Sequence, residues 1–128
     1  MEKVDLLRQA RDRMLALHKG LVDRERSSYE EVHGAVNAAQ FLTALLEDKH
    51  LEWLRMFSTL IVDIDEMFAQ KDGYTDAAVD LHLSAVRALI NVRSGDEVFY
   101  AKFREAVQND VETASRVAEM KILLERMQ

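Results

Sequence analysis

The chain has no cysteine and no proline. Without cysteine there is no disulfide, no thiolate metal site and no cysteine nucleophile, and the composition fits a reducing cytoplasm. Without proline no helix is forced to kink. Only four glycines occur, and three of them, Gly34, Gly73 and Gly95, fall between periodic segments. Glycine at the breaks favours long helices. No run reaches the roughly 18 apolar residues that span a membrane. The opening MEKVDLLRQARDR is charged and mixed, unlike a secretory signal. No sustained basic patch is present, and the net charge of −6 repels a nucleic-acid backbone. A phosphate loop, a dinucleotide glycine pattern, His-Glu-x-x-His and a nucleophile elbow are all missing.

What is there is 128 residues, 48% hydrophobic and 31% charged, enough for one domain (residues 1–128) with a core of its own. The spacing predicts a first helix from about Glu2 to Val32, with Leu7, Ala10, Met14, Leu17, Leu21 and Val32 inward. Gly20 in its interior weakens it by about 1 kcal/mol relative to alanine, or marks a close helix contact. Asn37 and Gln40 have capping-box spacing and open a short helix carrying Phe41, Leu42, Leu45 and Leu46. Asp48 caps a helix from Lys49 to Gln70, with Leu54, Phe57, Leu60, Ile61, Ile64 and Phe68 on one side. Thr75 caps the next, running to about Arg93 with Val79, Leu83, Val86, Leu89 and Ile90 inward.

Ser94-Gly95-Asp96 is a tight break, where Ser94 with Glu97, or Asp96 alone, provides the cap. The last helix runs from about Glu97 to Arg126, with Phe103, Val107, Val111, Ala114, Ala118 and Leu124 inward and Asn109-Asp110 as its weak point. Trp53 with Phe57, and Phe99 with Tyr100 and Phe103, read as core aromatics. The expectation is all-α: an antiparallel four-helix bundle with one extra short helix between the first and second long helices. Surplus apolar surface on the third and fourth helices offers a dimer face.

Four ionisable residues fall on these apolar stripes: His18, Asp65, His82 and Asp110. Asp65 and His82 lie eight and nine residues from Gly73, roughly 12–14 Å along their helices. His82 and Asp110 are 13 and 15 residues from Gly95. The helix arithmetic therefore stacks the four into one layer. A buried charge costs several kcal/mol (roughly 3–5 for one stripped of its partner) unless it is paired or ligated. Two imidazoles and two carboxylates suit zinc, iron or manganese, with Glu25 as an outer ligand or base. Alternatively the four form an internal network in which the carboxylates orient the imidazoles, and no cofactor is required.

Two Glu-x-x-His pairs make a secondary metal candidate: Glu30 with His33, and Glu47 with His50. Ferritin-like carboxylate sites use such pairs from mid-helix. Here they sit at helix ends, and the chain has twelve glutamates with which to make chance matches. Asp63 and Glu66 form a three-spaced acidic pair on a polar helix edge. They are too few for a magnesium site of the kind an all-α nucleotide pyrophosphatase needs.

The segments Leu17–Arg26 (LHKGLVDRER) and Trp53–Glu66 (WLRMFSTLIVDIDE) resemble a family of small uncharacterised bacterial all-α proteins. The likeness extends over about half of the chain. It implies a cytoplasmic bacterial protein, and it brings no activity and no functional residue with it. Size, acidity and the missing motifs point to a non-enzymatic module that self-associates, as a dimer, or docks a protein partner. The alternative is a metal- or small-ligand-binding bundle with a polar site in its core.

Overall fold

The longest periodic segment becomes the longest helix. A computed structural model describes residues 2–91 and 97–125. Helix α1 spans Lys3–His33 and buries Leu6, Leu7, Ala10, Met14, Leu17 and Leu21 at three- and four-residue spacing. No residue of α1 after Leu21 is fully buried. Val32, expected inward, is 78% exposed; in the last turns of α1 Tyr29 faces the core instead, meeting Phe41 at 5.8 Å. Gly34 ends α1 at φ 85°, donating its N–H to the Glu30 carbonyl.

Asn37 and Gln40 form both arms of the expected capping box: Gln40 N donates to Asn37 Oδ1 (2.8 Å) and Asn37 N to Gln40 Oε1 (2.9 Å). They open α2, Ala38–Glu47, which buries Phe41 and Ala44 but leaves Leu42 and Leu46 exposed. The expected helix from Lys49 to Gln70 begins differently. Asp48 accepts from His50 N, and residues Lys49–Leu54 form a 3-10 helix before α3, Arg55–Phe68. The tighter winding sets Leu51 directly over Leu54, and both are buried.

Thr75 Oγ1 accepts from Ala78 N and caps α4, Asp76–Ile90. The expected end at Arg93, the break at Ser94-Gly95-Asp96 and its two candidate caps lie outside the described residues, as does Arg126. The expected last helix is two: α5, Glu97–Asn109, and α6, Val111–Glu125. Asp110 separates them and receives the Thr113 hydroxyl at 2.7 Å and Glu112 N at 3.3 Å. The inward residues are Phe99, Phe103, Ala106, Thr113, Val117, Met120, Leu123 and Leu124. Of the expected inward set Val111 is 85% exposed and Ala118 is also exposed, one helical step off the buried stripe.

Among the described residues every regular element is helical, and no helix is long and apolar enough to cross a membrane. Helix α1 packs against α3, α4 and α6; α3 packs on α4, α4 on α6, and α5 on α6. The buried residues form one cluster. At its α3–α5 end Phe57 meets Phe103 edge-on at 5.3 Å and Phe99 at 5.5 Å, while Trp53 meets Phe99 at 6.1 Å. Such pairs each contribute about 0.5–1.5 kcal/mol beyond the area they bury. Tyr100, expected with them, is 39% exposed.

Candidate functional site

The four ionisable residues do not form a layer. Asp65 follows the buried Ile64 and points outward, where Arg11 of α1 grips it through Nε (2.9 Å) and Nη2 (2.8 Å). The guanidinium hydrogen bonds hold the Asp65 carboxyl below the usual range, although its side chain is 48% exposed. His82 is half-buried, and its Nδ1 lies 2.7 Å from the carbonyl of Ala78 in its own helix. Asp110 is taken up in capping α6.

His18 alone stays on an inner face. Its ring lies 6.3 Å from Phe57, and burial pushes its pKa down, favouring the neutral imidazole. This contact joins the segments Leu17–Arg26 and Trp53–Glu66.

Nor do the Glu-x-x-His pairs assemble. Glu30 accepts from Val36 N at 2.9 Å, and His33 stacks on Tyr29 with ring centroids 4.3 Å apart. Glu47 and His50 are exposed, and the His50 amide serves the Asp48 cap. Among the described residues, no group of three or more His, Asp or Glu side chains is placed to hold a metal ion.

One polar cluster does form, around Glu25. Its side chain is only 16% exposed. Burial pushes its carboxyl above the usual glutamate range; Lys102 and Arg24 oppose that shift and Glu105 adds to it. Beside it Arg24 holds Glu105 of α5 with two hydrogen bonds, 3.0 and 2.9 Å. Those bonds hold Glu105 below the usual range. His50 and Asp110 contribute weaker fields to Glu25 and Arg24 respectively. Glu25, His50 and Asp110 of the candidate sets thus come near one another around an Arg24–Glu105 ion pair that fastens α5 to α1.

A larger feature falls on the two helices expected to carry surplus apolar surface, and it takes in His82 of the expected set. The outer seam between α3 and α4 holds a cavity of about 680 Å³ and a second of about 450 Å³, with Asp63 lining both. Helix α3 presents Met56, Leu60, Asp63 and Met67 to the seam at three- and four-residue spacing. Helix α4 answers with Ala78, His82, Ala85 and Leu89. The alanines make the depression: a side chain ending at Cβ leaves the space a leucine would fill. Trp53 and Phe99 line its upper end, and Val98 stands beside them 64% exposed. The alanine spacing on α4 was the signal available in the sequence.

The seam has an uneven charge. Asp63 and Glu66 are exposed along its lower half and make no ion pair among the described residues. At the upper end Lys49 and Glu52 offset each other, and the Arg55 guanidinium donates to the carbonyls of Leu45 and Leu46. Asp63, Glu66 and His82 share the lower cavity without converging on a metal position. The arrangement offers a trough that is apolar at its upper end and acidic along its lower margin.

Neither a family model, nor a curated protein, nor a solved structure matches the chain.

Proposed function

We propose that this chain is a non-enzymatic interaction module that holds a partner along the α3–α4 seam. The carrying observation is the pair of adjoining cavities on the outer side of two packed helices, the upper one lined mainly by apolar and small side chains and the lower one of mixed polarity. Exposed apolar surface gathered in a groove marks sites of association far better than scattered exposed residues do. Leu81, 69% exposed and one turn before Ala85 on α4, widens the apolar border.

The packing of α1 against α3, α4 and α6, with α4 against both α3 and α6, supports reading the scaffold as an antiparallel four-helix bundle. In it α5 and α6 together stand for the fourth long member. The lack of cysteine and the two resembling segments support a cytoplasmic setting in a bacterium.

Site-specific photo-crosslinking in cells tests the interaction reading. A crosslinking residue at Met56 or Ala88, in the seam, should yield protein adducts. One at Leu15, an exposed leucine on α1, should not. Equal adducts at all three positions, or none in the seam, would overturn the proposal.

A further inference from the structure

We infer that the seam takes a cationic amphipathic helix of a partner protein, an inference that rests on the interaction reading above. The trough follows α3 from Met56 to Met67 and continues past the helix end to Gln70; the helical part is roughly 17 Å at 1.5 Å per residue. That length matches about three turns of a docked helix. An extended strand is poorly served here, because α3 and α4 expend their backbone groups within their own helices and present no edge to pair with.

The shape supports a helix as well. Ala78, Ala85 and Ala88 lower the α4 wall, and helices approach to 8–10 Å only where contact side chains allow it. The partner's apolar stripe, repeating at three and four residues, fits over Met56, Leu60 and Met67.

Charge then selects among amphipathic helices. Asp63 and Glu66, which make no ion pair among the described residues, make the lower half of the seam acidic, whereas at the upper end Lys49 and Arg55 outweigh Glu52 by one charge, so the partner's cations belong against the lower half. Lysine or arginine flanking the partner's stripe answers those carboxylates; glutamate there meets like charge. The net charge of −6 draws the same cationic segment from a distance. The His82 Nδ1 is already engaged with the Ala78 carbonyl.

The test uses two synthetic amphipathic peptides of about 15 residues. They share one leucine stripe and differ in carrying lysine or glutamate on its flanks. Trp53, the single tryptophan, lines the upper cavity and reports occupancy by its emission. Amide shifts locate the bound peptide.

The lysine peptide should bind at least about tenfold more tightly than the glutamate peptide at low salt. Its shifts should centre on α3 and α4. The exposed double variant Asp63→Lys with Glu66→Lys should reverse the preference. Ala85→Arg, which fills the floor, should weaken both peptides.

Equal affinity for the two peptides, with Ala85→Arg blocking both, overturns the cationic partner and leaves the groove. Binding untouched by Ala85→Arg, or shifts centred elsewhere, overturns the groove as well. A dimer of the chain that Ala85→Arg dissolves makes the occupant a second copy, and that overturns this inference while the interaction reading stands.

Discussion

Arg11 and Asp65 meet across the α1–α3 interface as a two-pronged pair, Nε to Oδ1 at 2.9 Å and Nη2 to Oδ2 at 2.8 Å. The Asp65 side chain is nevertheless 48% exposed, so solvent screens much of the attraction. Asp65→Asn should therefore cost only about 0.5–1 kcal/mol at neutral pH, well below the loss expected on stripping a partner from a buried charge. The cost also has a pH signature. Asp65 is depressed in the fold, so its contribution is present above the ordinary aspartate value of 3.8 and is lost as pH falls through the depressed one. Urea unfolding of the variant at neutral and acid pH checks both statements.

Asp110 serves α6 as a cap. Asp110→Ala should lower stability by about 1 kcal/mol, and Asp110→Asn by much less, because asparagine caps about as well as aspartate. A buried carboxylate paired with a histidine would not tolerate asparagine so readily. Thermal melts of the two variants separate the cases.

Gly20 lies beneath the end of the Arg116 side chain, so close that a Cβ there would collide with Nη1. The colliding atom is the tip of a flexible, part-exposed side chain that also pairs with Glu112 at 3.6 Å. It can swing aside. Gly20→Ala should then stabilise the chain by about 0.5–1 kcal/mol through helix propensity. A loss of stability, rescued by adding Arg116→Ala, would show instead that the guanidinium is held in place.

His18 and Glu25 act on stability in opposite directions as the solution is acidified. His18 is depressed, so its contribution is full above the ordinary histidine value of 6.5 and is lost as pH falls from there through the depressed value. Glu25 is raised, so its contribution is full below the ordinary glutamate value of 4.5 and is lost as pH rises through the raised value. His18→Leu should flatten the decline below pH 6.5. Glu25→Gln should raise stability at neutral pH, a gain that fades toward pH 4.5. Unfolding midpoints across that range, for each variant alone, give the two slopes.

The helix ends were legible because their causes are local. Asn37 with Gln40, Asp48, Thr75 and the positive-φ glycines Gly34 and Gly73 act within a few residues of themselves. The inner face of α1 was legible as far as Leu21 for the same reason. The polar layer was misplaced because a wheel is blind to what an edge residue meets. Asp65 stands one step from buried Ile64, and only the fold brings Arg11 to it. His82 has its Nδ1 partner in its own helix, and Asp110 stands where the helix is interrupted. The seam was foreshadowed as surplus apolar surface on two helices, but its depth depends on which alanines of α4 oppose which residues of α3. That register is a tertiary fact.

Helix α1 is continuous to His33, yet its buried residues stop at Leu21. Amides packed within the core exchange with solvent only when the whole molecule opens, whereas those of a lightly packed helical end exchange by fraying. Beyond Leu21, the partial cover of Val22 and Tyr29 and the ion pairs of Arg24 and Arg26 are the main restraints. Hydrogen exchange should therefore divide α1 near Leu21, with slow amides before it and a graded loss of protection toward Gly34. A single unbroken helix would then belong to two regions that open at different free energies.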